Sequence, residues 1–193
     1  MNASVLLAHP RPGSLNHALA DAAAEALSRS GAVVRFHDLY AEGFDPRLAS
    51  EELETTVFAD ALAGRHAAEI LEADRIVVIH PSWFFQVPAV LKGWIDRVLR
   101  EGVAFERAED GVRGRLRAEL ALVVTTANAP RSYEENVLGD PLTTFWRDCV
   151  WLPAGVARVE RRVLAPVRGS SPAQRGAWLD EVRRRATAGL AAG

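Results

Sequence analysis

Residues Ile76–Val98 read I-V-V-I-H-P-S-W-F-F-Q-V-P-A-V-L-K-G-W-I-D-R-V. The run Ile76-Val77-Val78-Ile79 is continuously apolar and of strand length, the pattern of a strand covered on both faces. Further on, Val90, Leu91, Trp94, Ile95 and Val98 fall on one face of a helix running from about Pro88 to Arg100. Between the two, Trp83, Phe84 and Phe85 crowd into a loop bracketed by Pro81 and Pro88. Folding gives no reason for three large rings there. In open α/β sheets the crevice at the carboxyl ends of the strands is where ligands sit. A planar, π-rich ligand is the economical explanation.

The same alternation extends in both directions. Strands are predicted at Ser4–Ala8, Val33–Asp38, Asp74–His80, Glu119–Thr126 and Val156–Leu164. Helices are predicted near His17–Arg29, Ala61–Glu72, Pro88–Arg100 and Leu142–Trp151, with Leu39–Asp60 irregular to helical. A last helix starts at Pro172 and places Trp178, Val182, Ala186 and Leu190 at steps of four. Apolar strands alternating with helices imply an α/β three-layer sandwich. Its five-stranded parallel sheet would be doubly wound, in the order 2-1-3-4-5. No repeat or linker divides the chain, so residues 1–193 are expected to form one domain. The alternating Arg113, Arg115 and Arg117 read as the solvated side of a hairpin or loop, and Arg183–Arg185 as the wet side of the last helix.

Bulk properties narrow the function. Hydrophobic residues make up 49% of the chain and the net charge is −2, which gives no reason to expect nucleic acid or insertion into a membrane. The single cysteine, Cys149, excludes an internal disulfide. No Cys/His cluster has zinc spacing, so no metal site is expected. A strand beginning almost at Met1 leaves no room for a signal peptide, and the expected setting is cytoplasmic. The only lysine, Lys92, lies within the opening stretch.

Two further loops carry chemistry. His9-Pro10-Arg11-Pro12-Gly13-Ser14-Leu15-Asn16 follows the first strand and opens a helix. Ser14 or Asn16 can cap that helix, and the free N–H groups of its first turn suit a phosphate. His9 and Arg11 can add charge-assisted bonds. Neither G-x-G-x-x-G nor G-x-x-x-x-G-K-[ST] occurs, so the Rossmann dinucleotide and P-loop readings lack support. After the fourth strand, Thr125-Thr126-Ala127-Asn128-Ala129-Pro130, with Tyr133 close behind, offers hydroxyl, amide and backbone donors. Such groups suit the edge of an isoalloxazine ring. In a parallel sheet all three loops line one edge.

These motifs resemble the flavodoxin-like NAD(P)H dehydrogenases (quinone), the NAD(P)H oxidoreductase group of the drug-activity modulator and potassium-efflux ancillary types. The resemblance rests on H-P-R-P-G-S-L-N, H-D-L-Y-A-E-G-F-D-P at His37–Pro46, W-F-F-Q-V-P-A-V-L-K-G-W-I-D-R-V and T-T-A-N, in the family's order over nearly the whole chain. It implies a non-covalent flavin, FMN or FAD, with its phosphate on His9, Ser14, Leu15 and Asn16. The ring would lie against Pro81, Ser82, Trp83, Phe84 and Phe85, with its edge near Thr125, Thr126, Ala127 and Asn128. Tyr133 matches a tyrosine near the flavin and is the candidate catalytic residue. Arg175 is a candidate for an adenine site. The implied activity is ping-pong hydride transfer from NADH or NADPH, through the flavin, to a quinone or similar flat aromatic acceptor. The chain would be a homodimer, with Asp38-Leu39-Tyr40 and the Pro88–Arg100 helix in packing roles. The alternative is a redox-active regulatory subunit with a potassium-efflux transporter as partner. Two positions depart from the family pattern. No histidine follows Tyr133 closely, and T-T-A-N stands where many relatives have T-T-G-G.

Overall fold

The computed structural model describes residues 1–53, 55–109 and 111–190. Its main sheet has five strands: β1 (Asn2–Leu7), β2 (Val33–Asp38), β3 (Arg75–Pro81), β6 (Leu120–Thr126) and β7 (Arg158–Leu164). They are parallel and ordered β2-β1-β3-β6-β7, which is 2-1-3-4-5 when the strands of this sheet alone are counted. The fold is flavodoxin-like, as the alternation of apolar runs and helices predicts. A separate antiparallel pair, β4 (Phe105–Ala108) and β5 (Gly111–Gly114), forms a hairpin outside the sheet. Arg113 lies in β5 and is exposed, as are Arg115 and Arg117 just after it.

Position in the sheet explains the differences among strands. Every residue of β3 and β6 is buried, because each strand has neighbours on both sides and helices on both faces. The edge strands β2 and β7 are mixed instead; β7 carries Arg158, Glu160, Arg161 and Arg162. An edge strand has to be apolar only where a helix covers it.

Helices α1 (Leu15–Arg29) and α6 (Pro172–Ala186) cover one face, closing a core around Val5, Leu7, Val77, Ile79, Leu122 and Val124. Trp178, Val182 and Ala186 of α6 are buried there at steps of four. Helices α2 (Ala61–Leu71) and α3 (Ala89–Val98) cover the other face, over Leu6, Ile76, Val78 and Val123. Local chemistry sets the starts. Ser14, Asp60 and Ser171 each cap a helix by accepting a backbone N–H two or three residues on. Between β2 and α2 the described residues are irregular apart from one 3-10 turn at Ser50–Glu52.

One predicted helix is built differently. Over Leu142–Trp151 the chain forms a single α-turn, α5 (Pro141–Thr144), and continues as a π-helix through Phe145–Trp151. The wider winding accompanies a stack of Trp146 on Trp151, with ring centroids 5.6 Å apart and planes 12° from parallel. Both indoles are fully buried. Two large rings five residues apart do not share a face of an ordinary helix, and packing overrides the regular pitch.

The glycine of L-K-G-W and the proline of F-D-P meet in space. A Cβ on Gly93 would lie 2.2 Å from the Pro46 carbonyl oxygen and 2.4 Å from its Cα. Helix α3 therefore touches the loop after β2 at a place where no side chain fits. Gly93→Ala is expected to destabilise the protein by about 1–3 kcal/mol or more, the range for overpacking against backbone that cannot yield. Urea denaturation would read this as a lower midpoint.

Candidate active site

Parallel register brings the three loops together. Leu7 pairs with Ile79, and Ile79 with Val124, so β1 ends opposite Ile79 and β3 and β6 end together two residues on, at Pro81 and Thr126. At that edge lies a cleft of about 390 Å³. The first loop contributes His9, Arg11, Gly13, Ser14, Leu15 and Asn16, the second Pro81, Ser82 and Trp83, and the third Thr126, Ala127 and Asn128. Val167 and Arg175, from the segment after β7 and from α6, complete the lining. Two arginines and no carboxylate among these residues give the cleft a preference for anions.

Hydrogen bonds lock the three loops to one another. Buried Asn16 donates its amide to Thr126 Oγ1 at 3.0 Å, and Ser82 N–H donates to the Thr126 carbonyl at 2.7 Å. Asn128 Oδ1 accepts the Arg168 N–H at 2.8 Å, and Val167 N–H donates to the Ala127 carbonyl at 2.9 Å. His9 Nδ1 accepts the Arg11 N–H at 3.1 Å. Burial holds the His9 pKa below its ordinary value. The neutral ring thus keeps its hydrogen on Nε2, as a donor. Gly13, at φ +69°, supplies the left-handed turn that leads into α1. The N–H groups of the first helical turn have no acceptor within the helix, so this end of α1 offers backbone donors to an anion.

Of the fourteen residues expected to hold the ligand, ten line the cleft. The other four have different places. Thr125 is fully buried, and its hydroxyl lies 3.3 Å from Arg161 Nε, which donates to it. Tyr133 sits on α4 (Arg131–Asn136) with its ring centroid 5.7 Å from that of Phe85. Phe84 is 99% exposed. The aromatic loop is a tight turn. Trp83 and Gln86 exchange backbone hydrogen bonds at 3.1 and 2.9 Å, while Phe84 and Phe85 occupy the two central positions at φ +51° and +57°. Turns of this geometry normally take asparagine and glycine. A phenylalanine in the left-handed region costs about 1–3 kcal/mol, and such strain concentrates at functional sites.

Arginine 161 accounts for the sequence after Tyr133. Its guanidinium donates to Glu134 Oε1 at 2.7 Å, to Asp140 Oδ1 at 2.6 Å and to Thr143 Oγ1 at 3.3 Å. Arg161 and Glu134 are both almost fully buried. The pair ties α4 to β7 and so fixes where Tyr133 stands. No short-range pattern pointed to it, because the partners are 27 residues apart.

A second polar cluster lies away from the cleft. His37, Glu42 and His66 bring ligating atoms within 4.8 Å of one another. Trp94 Nε1–H donates to His66 Nδ1 at 2.9 Å, and burial pushes the His66 pKa down to about 3. The neutral ring then bears its hydrogen on Nε2, 3.3 Å from Glu42 Oε2, so the lone pair a metal needs there is missing. His37 continues the chain, 3.1 Å from Glu42 and 2.7 Å from Glu69.

A profile of the family described as having a flavodoxin-like fold matches residues 1–149. Human ribosyldihydronicotinamide dehydrogenase [quinone] is 34% identical over 163 residues, which cover 74% of this chain and 71% of the relative. The chain belongs to the flavodoxin-like NAD(P)H dehydrogenase (quinone) family. The FMN-dependent NADH:quinone oxidoreductase of Azotobacter vinelandii is 35% identical over 99 residues, 49% of this chain and 50% of the relative. Among solved structures, the NAD(P)H:quinone oxidoreductase from Methanothermobacter marburgensis superposes with a TM-score of 0.83 at 27% identity, covering 96% of this chain and 95% of that one.

The site and its supports generate two expectations. Arg161→Met leaves Glu134 buried without a cation and is expected to lose about 3–5 kcal/mol of stability, read by urea denaturation. Stability should also fall with acidity. Burial lowers the His80 pKa to about 4 and the His66 pKa to about 3. An unfolded histidine takes its proton near pH 6.5, so the unfolded chain binds more protons below that point. The contribution of both residues is complete above pH 6.5 and declines as pH falls towards 4. Thermal midpoints that rise or stay level over that interval would contradict this assignment.

Proposed function

We propose that residues 1–193 form one flavin-dependent NAD(P)H oxidoreductase domain that reduces a quinone or similar flat aromatic acceptor. The observation that carries this is the chemistry of the cleft, where an anion-binding end faces an aromatic wall. A phosphate fits against the first turn of α1, among the Leu15 and Asn16 N–H groups, Ser14 and the His9 Nε2–H. The Trp83 indole, 42% exposed at the cleft, offers an open face to a ring system. Thr126, Ala127 and Asn128 stand where hydrogen-bonding atoms on the ring edge would be read. FMN and FAD share these features, and Arg175, held through its Nε–H on Ser170 Oγ at 2.8 Å, is placed to meet a second phosphate or an adenine.

When bound, the flavin supplies a two-electron carrier that takes a hydride from NADH or NADPH and passes it on. The protein orients and insulates. The locked loops would orient the ring of a bound flavin, and Trp83 would shield one side of it from water. Tyr133, 45% exposed above the turn, can donate its O–H to the acceptor oxygen on which negative charge develops. The quinone-reductase names of the relatives favour this catalytic reading over a transporter subunit. We further propose a homodimer, in which the second subunit covers the exposed Phe84.

The test is direct. The purified protein is expected to be yellow and to release FMN or FAD, identified by chromatography, and NADH or NADPH should bleach it under anaerobic conditions. Trp83→Ala should weaken flavin retention by about 5- to 100-fold, the equivalent of losing one stacked aromatic contact. Its circular dichroism should not change. Protein that reconstitutes with neither flavin would overturn the reading.

A further inference from the structure

Asp38, His17 and Ser14 form a hydrogen-bonded chain from the end of β2 to the phosphate end of the cleft. Asp38 Oδ1 accepts the Tyr40 and Ala41 N–H groups, each at 3.1 Å. Its Oδ2 lies 3.1 Å from His17 Nε2. On the other side of the ring, His17 Nδ1 is 2.8 Å from Ser14 Oγ, which also accepts the His17 backbone N–H at 3.4 Å. The relative burial of His17 and Asp38, 19% and 17% exposed, keeps water from replacing these bonds freely.

The bonds leave only two proton arrangements. Asp38, surrounded by donors, acts as an acceptor, so a neutral His17 carries its hydrogen on Nε2 and keeps a lone pair on Nδ1. Ser14 must then turn its O–H towards Nδ1, and its one donor is used up inside the chain. A second proton on His17 reverses that bond. Nδ1–H donates, the Ser14 oxygen accepts, and the Ser14 O–H is released towards the cleft. We infer that Ser14 donates to a bound phosphate only when His17 is protonated, so that the site takes up one proton from solvent with each phosphate dianion. This rests on the flavin reading above. It makes His17 and Asp38 positioning residues for that phosphate.

The other charged groups around His17 are few. His9 faces it across the loop, with ring centroids 6.2 Å apart, and is itself titratable. Arg11 is a fixed cation on the same loop, and Asp21 lies one helical turn further along α1. None of these three bonds the ring; the one charged group that does is Asp38.

The experiment is calorimetric titration of FMN into flavin-free protein, in phosphate-free buffers of different ionisation enthalpy. It is run at about pH 7.8, above the phosphate's own second ionisation near 6, so that the ligand contributes no proton. Wild-type protein should take up protons on binding FMN and none on binding riboflavin, which lacks the phosphate. Its FMN affinity should fall as pH rises, towards the one-proton limit of about tenfold per pH unit. Asp38→Asn is the decisive variant. The Tyr40 and Ala41 N–H groups hold its amide oxygen in place, so its NH₂ faces His17. The ring must then take the other tautomer, with Nδ1–H on Ser14. FMN should still bind, with no proton uptake and no slope against pH. His17→Gln should also abolish uptake and serves if Asp38→Asn does not fold. His9→Gln should weaken binding yet keep the uptake. Zero uptake by the wild type, equal uptake by Asp38→Asn, or loss of uptake in His9→Gln overturns the relay alone. Failure to bind FMN, riboflavin and FAD alike overturns the parent reading as well.

Discussion

Parallel alignment of β1, β3 and β6 is the constraint from which the rest of the structure follows. Parallel neighbours cannot be joined by a short hairpin, so each strand has to return through a crossover, and the crossovers become the helices of both outer layers. Shared register adds a second consequence. With Leu7, Ile79 and Val124 at one level, the segments leaving those strands emerge side by side. They lie outside the core, and polar and aromatic residues can accumulate there without disturbing it. A cleft at this edge needs no extra domain.

Buried tryptophans set a second pattern. The indole N–H of Trp94 donates to His66 and that of Trp146 to His80, at 2.9 and 3.0 Å. Meeting a buried indole's one donor is favourable, although the Trp151 N–H goes without a partner, and a neutral imidazole is a compact acceptor with a second polar atom to connect onward. His80 uses that atom to bond the Pro81 carbonyl at 2.9 Å, where β3 gives way to the aromatic turn. The same arrangement makes these histidines reluctant to ionise. Packing of the core and acid sensitivity are thus one fact seen from two sides.

What could be read from the sequence was what rests on local order. The apolar run at Ile76–Ile79, the amphipathic stretch of α3, the four-step pattern of α6 and the capped first loop each carry their signal within a dozen residues. Ten of the expected ligand residues fall in one cleft because strand order alone puts them there. The rest depends on partners distant in sequence or on backbone shape. Thr125 reads like Thr126, yet Arg161 draws it into the interior. Asn128 looks free for a ligand, yet the Arg168 N–H takes its side-chain oxygen. The π-winding at Phe145–Trp151 follows from two indoles stacking, and the left-handed Phe84 and Phe85 have no glycine or asparagine to announce them. Glu134, exposed by any helical-wheel reading of a six-residue segment, is buried because its cation arrives from β7.

That cation has a further effect. Strand β7 is the outer edge of the sheet, and an uncovered edge offers its backbone groups to any extended chain that comes near. Arg158, Glu160, Arg161 and Arg162 fill its length with charge, and Arg161 turns its charge inward. A second strand docking there would have to draw the Arg158–Glu160 and Arg162–Glu181 ion pairs further from water, a penalty that sheet pairing does not readily recover. The residue that fixes Tyr133 therefore also guards the sheet against edge-to-edge polymerisation.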